Sequence, residues 1–199
     1  MVGPEDTYQL LRNLTSPVVA ITCEHGGKRN GMIIDSAIRA SIAPTIPRLA
    51  VFIHKFNVSH DLVFQSGRFV LHLLRRDQFD LIHGLGFVHG VDRDKLAGVP
   101  HRPGRLGAPV LDECYAHFEC RIVNAMDTGS STGFLADVVA VGYGAAPGPQ
   151  GEVMTAAYFR AHLPEAWQAE YRRLLAAAQE FARERSRDLK PLVWRDLAP

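Results

Sequence analysis

A chain of 199 residues, 47% apolar and 22% charged, is long enough to bury one substantial core and has the composition of an ordinary globular domain. Its formal net charge of +1 sets up no field that would gather nucleic acid or an anionic membrane, and its longest weakly polar run, 134–146, is interrupted by Asp137 and too short to span a bilayer. Three cysteines (Cys23, Cys114, Cys120) make no disulfide framework and the first residues carry no basic-then-apolar leader, so a cytoplasmic protein is expected, with no nucleic acid or membrane among its partners.

In chain order, Tyr8, Leu10, Leu11 and Leu14 predict a short helix that ends before Pro17. An apolar strand, Pro17 to Cys23, meets Gly26-Gly27, where positive φ is cheap and the chain can fold back, giving a hairpin over 17–38. Its second arm carries a polar Asn30-Gly31 where the first is apolar. A glycine inside a strand often marks close approach of backbone to a ligand, which places the chemistry on Lys28 to Ser36, with Ser41 just beyond. After a loop rich in Ala, Pro and Ser (40–47), Leu49 to Ile53 reads as a strand. Ser59 is the expected N-cap of a helix through Leu62-Val63-Phe64, closed by Gly67, and Phe69 to Leu74 as a buried strand.

A second short helix is expected at 77–83, followed by a glycine-rich, charged connection from Gly84 to Pro109, a length typical of binding loops or lids. Cys114, Ala116, Phe118, Cys120, Ile122 and Met126 then alternate with Tyr115, His117, Glu119, Arg121 and Asp127. A second strand, Phe134 to Tyr143, follows the polar turn 127–132. Arms of about 35–40 Å exceed the usual strand, and long antiparallel strands curl into barrels. Pro164 opens an amphipathic helix with Trp167, Tyr171, Leu174, Leu175, Ala178 and Phe181 on one face. The expected fold is mainly β (α+β), a mixed, chiefly antiparallel barrel with flanking helices.

Cys114-x2-His117-x2-Cys120 has metal-like spacing, but alternation on a strand turns His117 away from both thiols, so no metal site is expected. The Gly84 to Gly90 stretch follows a helical pattern instead of a strand and is no dinucleotide loop. His101, Arg102 and Arg105 lack an aromatic ladder and read as a solvated connection. Lys55, Asn57 and Ser59, a lysine and small polar residues at a helix start, read either as an anion site or as a capped surface helix.

Taken in order, Ser16-Pro17-Val18-Val19-Ala20-Ile21-Thr22, Asn30-Gly31-Met32, Ser41 with Pro44, and Asn57-Val58-Ser59-His60-Asp61-Leu62 resemble the flavin reductase family of FMN-binding split-barrel proteins. The likeness continues through Ser66-Gly67-Arg68-Phe69, Leu73-Leu74, Asp77-Gln78, Asp94-Lys95-Leu96-Ala97-Gly98 and Glu119-Cys120-Arg121 to Val138-Val139. It implies an antiparallel Greek-key split barrel over 1–163, with 164–199 as a helical extension of the same domain. It maps the isoalloxazine ring onto Asn30, Gly31, Met32, Ile33, Ile34, Asp35 and Ser36, and the ribityl chain and phosphate onto Ser41, Lys55 and Ser59, with Asn57 in the same anion site. Ser130, Ser131 and Phe87 fall on the nicotinamide side. The implied cofactor is FMN, with FAD as the alternative, and NAD(P)H is the implied co-substrate. The flavin carries the chemistry, so no side chain is assigned as catalytic. A homodimer is implied, with the flavin near the subunit interface, and a partner oxygenase is one implied acceptor. The alternative is a flavin carrier that does not use NAD(P)H.

Three positions depart from the family pattern. Ile33-Ile34-Asp35-Ser36 stands where many members have Thr-Val-Ser-Ser, which adds a carboxylate that disfavours an anionic reduced ring. His72 stands where many have Asn. The turn Gly129-Ser130-Ser131-Thr132 replaces Gly-Asp-His-Thr and so lacks the histidine associated with nicotinamide.

Overall fold

The computed structural model describes residues 3–14, 16–88, 90, 93–145, 151–186 and 189. Strand β1 (Val19–His25) and strand β2 (Lys28–Ile34) form the expected hairpin, paired from Val19↔Ile34 to His25↔Lys28. Gly26 (φ 59°) and Gly27 (φ 77°) take the left-handed turn that only glycine adopts cheaply. After β3 (Ala37–Arg39) and β4 (Arg48–His54), helix α2 (Val58–Ser66) ends at Gly67, whose N–H bonds to the Val63 carbonyl. Then come β5 (Arg68–Leu73), helix α3 (Phe79–Gly86), and the short strands β6 (His101–Pro103) and β7 (Pro109–Leu111). The long arms are β8 (Ala116–Asp127) and β9 (Ser131–Tyr143). Helix α1 (Pro4–Leu11) precedes the barrel, and α4 (Ala156–Ala161) and α5 (Glu165–Arg185) follow it.

Seven strands make one antiparallel sheet in the order β2-β1-β5-β8-β9-β4-β3. Its two edge strands, β2 and β3, are consecutive in the chain and separated by Asp35-Ser36 alone. A linker that short spans about 10 Å at most, so the sheet must curl until its edges meet. Ser36 extends the β3–β4 ladder by one rung: its Oγ donates to the Phe52 carbonyl at 2.8 Å, and its own carbonyl accepts from the Phe52 N–H. The result is a curled half-barrel of the split-barrel type.

One core fills the barrel with Val19, Ile21, Ile53, Phe69, Ile122 and Phe134, among others. A second lies outside β1, beneath α3, α4 and α5, around Ala20, Leu74, Ile82, Leu85 and Met154. The β6–β7 ribbon covers the far face of β5. It is pinned by Thr22, which donates to the Pro109 carbonyl, and by His72, whose Nε2 accepts from the Leu111 N–H at 3.0 Å.

Several expectations are corrected. The N-cap of α2 is Asn57, not Ser59, which lies inside the first turn and is fully buried. The 84–109 connection begins within α3 and carries β6, so it is no bare loop. Strand β9 starts at Ser131, which shortens the turn before it. Alternation along β8 fails after Ile122, because register shifts at Glu119/Cys120 and Ile122/Asn124 reverse which face each residue presents. Met126 is therefore exposed and Ala125 buried. The first helix forms as expected, and its Leu10 and Leu11, with Leu14 beyond it, are exposed. Among the described residues, no helix is long and apolar enough to cross a membrane.

Candidate functional site

As an edge strand, β2 pairs with β1 on one side, so its other side presents main-chain donors and acceptors to whatever lies beside it. A cavity of about 360 Å³ lies there, lined by Met32 to Ser36 from β2 and its bend, and by His54, Phe56 and Asn57 from the end of β4 and the start of α2. Leu85, Gly86, Phe87, Val88 and Lys95 close one side, and Leu174, Ala177, Ala178 and Phe181 of α5 roof it. A neighbouring recess of about 650 Å³ shares Ile33 to Ser36, His54, Gly86, Phe87 and Leu174.

Packing fixes this wall. A Cβ on Gly31 would lie 3.0 Å from Leu85 and 3.2 Å from Leu96, so this glycine serves the close approach of α3 and the 95–96 segment. The approach expected there was that of a ligand; what crosses Gly31 is side chain. Gly86 meets Ile33 in the same way, at 3.1 Å. Asn30 is buried behind the strand, where its amide donates to the Ser59 hydroxyl at 3.1 Å and ties β2 to α2.

Of the residues singled out from the sequence, Met32, Ile33, Ile34, Asp35, Ser36, Asn57 and Phe87 share the cavity. Asn30 and Ser59 bond to each other beneath it. Lys55 sits to one side, its ammonium 2.6 Å from Asp127, whose carboxyl is held below the usual range chiefly by that bond. Ser41 lines a different, apolar groove of about 820 Å³, and its hydroxyl accepts from the Ala43 N–H. Ser130 and Ser131 are buried at the β8–β9 turn.

That turn reaches the cavity through a residue the sequence did not flag. His54 stands directly opposite Ser131 in the β4–β9 ladder, and its Nδ1 lies 3.0 Å from the Ser131 hydroxyl. Its ring stacks on Phe56, with centroids 5.4 Å apart, and Phe56 meets Phe181 edge-on at 5.3 Å. Burial lowers the His54 pKa, offset in part by the Asp35 carboxylate and the Ser130 carbonyl, so the ring is neutral at neutral pH. An imidazole thus stands beside the turn whose own positions 130 and 131 are serines.

Lys95 is the other residue missed, although its motif Asp94-Lys95-Leu96 was noted. It is 8% exposed, and its ammonium donates to the Leu85 carbonyl at 2.7 Å. Burial pulls its pKa down to about 8. The α5 residues were visible as an apolar stripe, but a stripe does not say which surface it covers.

Residues 11–166 match the family model described as "Flavin reductase like domain". A high molecular weight rubredoxin of Moorella thermoacetica is 32% identical over 151 residues, which is 75% of this chain and 63% of that protein. The reductase subunit HsaB of a flavin-dependent monooxygenase from Mycobacterium tuberculosis is 26% identical over 128 residues, 64% of this chain and 66% of that subunit. The chain therefore spans less than two thirds of the length of both relatives. Among solved structures, the NADH:FAD oxidoreductase SgcE6 of Streptomyces globisporus C-1027, in complex with NAD and FAD fragments, superposes with a TM-score of 0.65 at 25% identity, over 78% of this chain and 90% of that one. Nearly all of α5 lies beyond the stretch matched by the family model.

Proposed function

The chain belongs to the flavin reductase like family, and from that membership we propose that it is an NAD(P)H-dependent flavin reductase with its flavin in the β2 recess. The observation that carries this reading is the open edge of β2 from Met32 to Ser36, facing a cavity that ends at Asn57, the start of α2. A flavin mononucleotide needs a flat slot, main-chain partners along the polar edge of its ring, and an anion site. The residues present fit. The β2 edge offers N–H and C=O groups, Phe56 and Phe87 supply flat apolar walls, and the N-terminal amides of α2 favour phosphate. The Asn57 side chain makes no cap bond of its own. Bound there, a flavin would supply the electron-accepting ring, taking a hydride from NAD(P)H and passing electrons to an acceptor.

The chain's own residues then position and exclude. Met32 to Ser36 fix the ring edge, and the α5 side chains Leu174, Ala178 and Phe181 keep water from it. His54 offers the nicotinamide side a neutral ring, stacked on Phe56 and bonded through Nδ1 to the Ser131 hydroxyl. The resemblance to a monooxygenase reductase subunit supports an oxygenase as the acceptor's owner. The open apolar groove supports a homodimer. The alternative, a flavin carrier indifferent to NAD(P)H, is favoured by Ser130-Ser131 in place of the turn histidine.

The visible spectrum of the purified protein with FMN, before and after anaerobic NADH, separates these readings. Yellow protein that bleaches is the expected result. Protein that stays yellow is the carrier, and failure to take up FMN removes both.

A further inference from the structure

Lys95 lines the recess, and no described carboxylate lies within ion-pair distance of its ammonium. It is 8% exposed, yet it lines the cavity together with Met32 to Ser36. Its ammonium has three N–H groups, and among the described residues the bond it makes is to the carbonyl of Leu85, in the last turn of α3. The charged or ionisable groups that act on it are Arg93, of like sign, and the thiol of Cys23, which burial pushes up to about 12 and keeps protonated.

A buried ammonium without a counter-ion is costly, and a methionine of the same length would pack without that cost. A charge kept in such a place acts on what enters the cavity. Two other ionisable groups line the same walls. His54 is kept neutral by burial. Asp35 is exposed, so water screens its carboxylate, whereas the field of Lys95 crosses protein of low dielectric. Lys95 therefore sets the sign of the potential in the recess.

We infer, on the footing of the flavin-site reading above, that Lys95 makes this recess hold the reduced, anionic form of a flavin more tightly than the oxidised, neutral form. The charge balance requires such a partner. A hydride from NAD(P)H brings one proton and two electrons to the ring and leaves NAD(P)+, so the ring gains one negative charge. Lys95 offsets the carboxylate of Asp35, which taken alone disfavours that state.

The test is the dissociation constant of FMN in its oxidised form and, anaerobically after dithionite, in its reduced form. The native chain is expected to bind reduced FMN more tightly, and a native preference for oxidised FMN overturns the inference without any variant. Lys95→Met is expected to lose about 10- to 100-fold in affinity for reduced FMN and less than about threefold for oxidised FMN. Lys95→Arg, which keeps the charge, is expected to retain the preference. A structural role alone, as a cap on α3, would lower the melting temperature and move both constants together, and that result also overturns it. A native chain that binds FMN in neither state removes the flavin site itself, and this inference with it.

Discussion

The recess along β2 and the groove along β3 and β9 are both large enough for a ligand, at about 360 and 820 Å³, but their walls differ in chemistry. The recess mixes an open strand edge with Asp35, His54, Asn57 and Lys95, and α5 roofs it. The groove is walled by aliphatic side chains such as Ile38, Ile42, Leu49, Val139 and Val141, with Phe118 at its floor. Its charged members, Arg39 and Arg48, flank it, and Arg48 is already paired with Asp137 at 2.7 Å. Ile42 is 88% exposed and Val141 67%, with Tyr143 and Ile46 also exposed close by in the chain. A small polar cofactor needs donors and acceptors in fixed positions, and the recess sets more polar side chains among its walls than the aliphatic groove does. A contiguous exposed apolar surface suits another protein surface. The two hollows of one barrel are thus suited to different occupants.

The largest expected effect abolishes both hollows at once. His72 is fully buried, with Nδ1 donating to the Ala20 carbonyl and Nε2 accepting from Leu111. His72→Ala removes both bonds and opens a cavity, at a cost of about 3–4 kcal/mol measured by urea denaturation. Burial lowers the His72 pKa from 6.5 to about 3. The unfolded chain therefore takes up a proton that the folded chain refuses, so the neutral ring's stability is complete above pH 6.5 and is lost as pH falls toward 3. The slope is about 1.4 kcal/mol per pH unit in that window. His72→Leu should flatten it; an unchanged slope would place the proton elsewhere.

Charging the groove should act on assembly and leave the barrel intact. Ile42→Asp combined with Val141→Asp is expected to bring the mass in light scattering from twice 22.0 kDa to 22.0 kDa, with an unchanged circular dichroism spectrum. A native protein that already runs at the single-chain mass defeats the dimer reading.

On the recess side, Lys55→Ala is expected to weaken FMN binding about 10- to 100-fold and riboflavin binding hardly at all, because only FMN carries the phosphate. For this to hold, Lys55 must share its ammonium between Asp127 and the ligand. Equal losses for both ligands would leave Lys55 as the partner of Asp127 alone. The smallest effect is at the roof. Phe181→Ala removes the edge contact to Phe56, worth about 0.5–1.5 kcal/mol, and should weaken FMN binding by less than about tenfold in fluorescence titration. No change at all would make α5 a bystander to the site.

Sequence alone was enough for features decided within a few residues of themselves. Gly26-Gly27 demanded a tight reversal, Gly67 a helix stop, the period-2 stretches strands, and the stripe from Trp167 to Phe181 an amphipathic helix. The ordered motifs also sufficed to identify the family. What the sequence left open depends on partners far along the chain. That Asp35-Ser36 is the barrel's seam follows from the sheet order, which places β2 and β3 at opposite edges. The exchange of Met126 for Ala125 in the core follows from register shifts set by the strand opposite. That Lys55 pairs with Asp127, 72 residues on, cannot be seen from its neighbours, which allow either an anion site or a capped surface helix. Lys95 and His54 entered the site only when α3 and the β8–β9 turn were laid against the edge of β2 and the end of β4. Local pattern reports that a residue is turned inward; which surface it then meets is fixed by packing across the whole barrel.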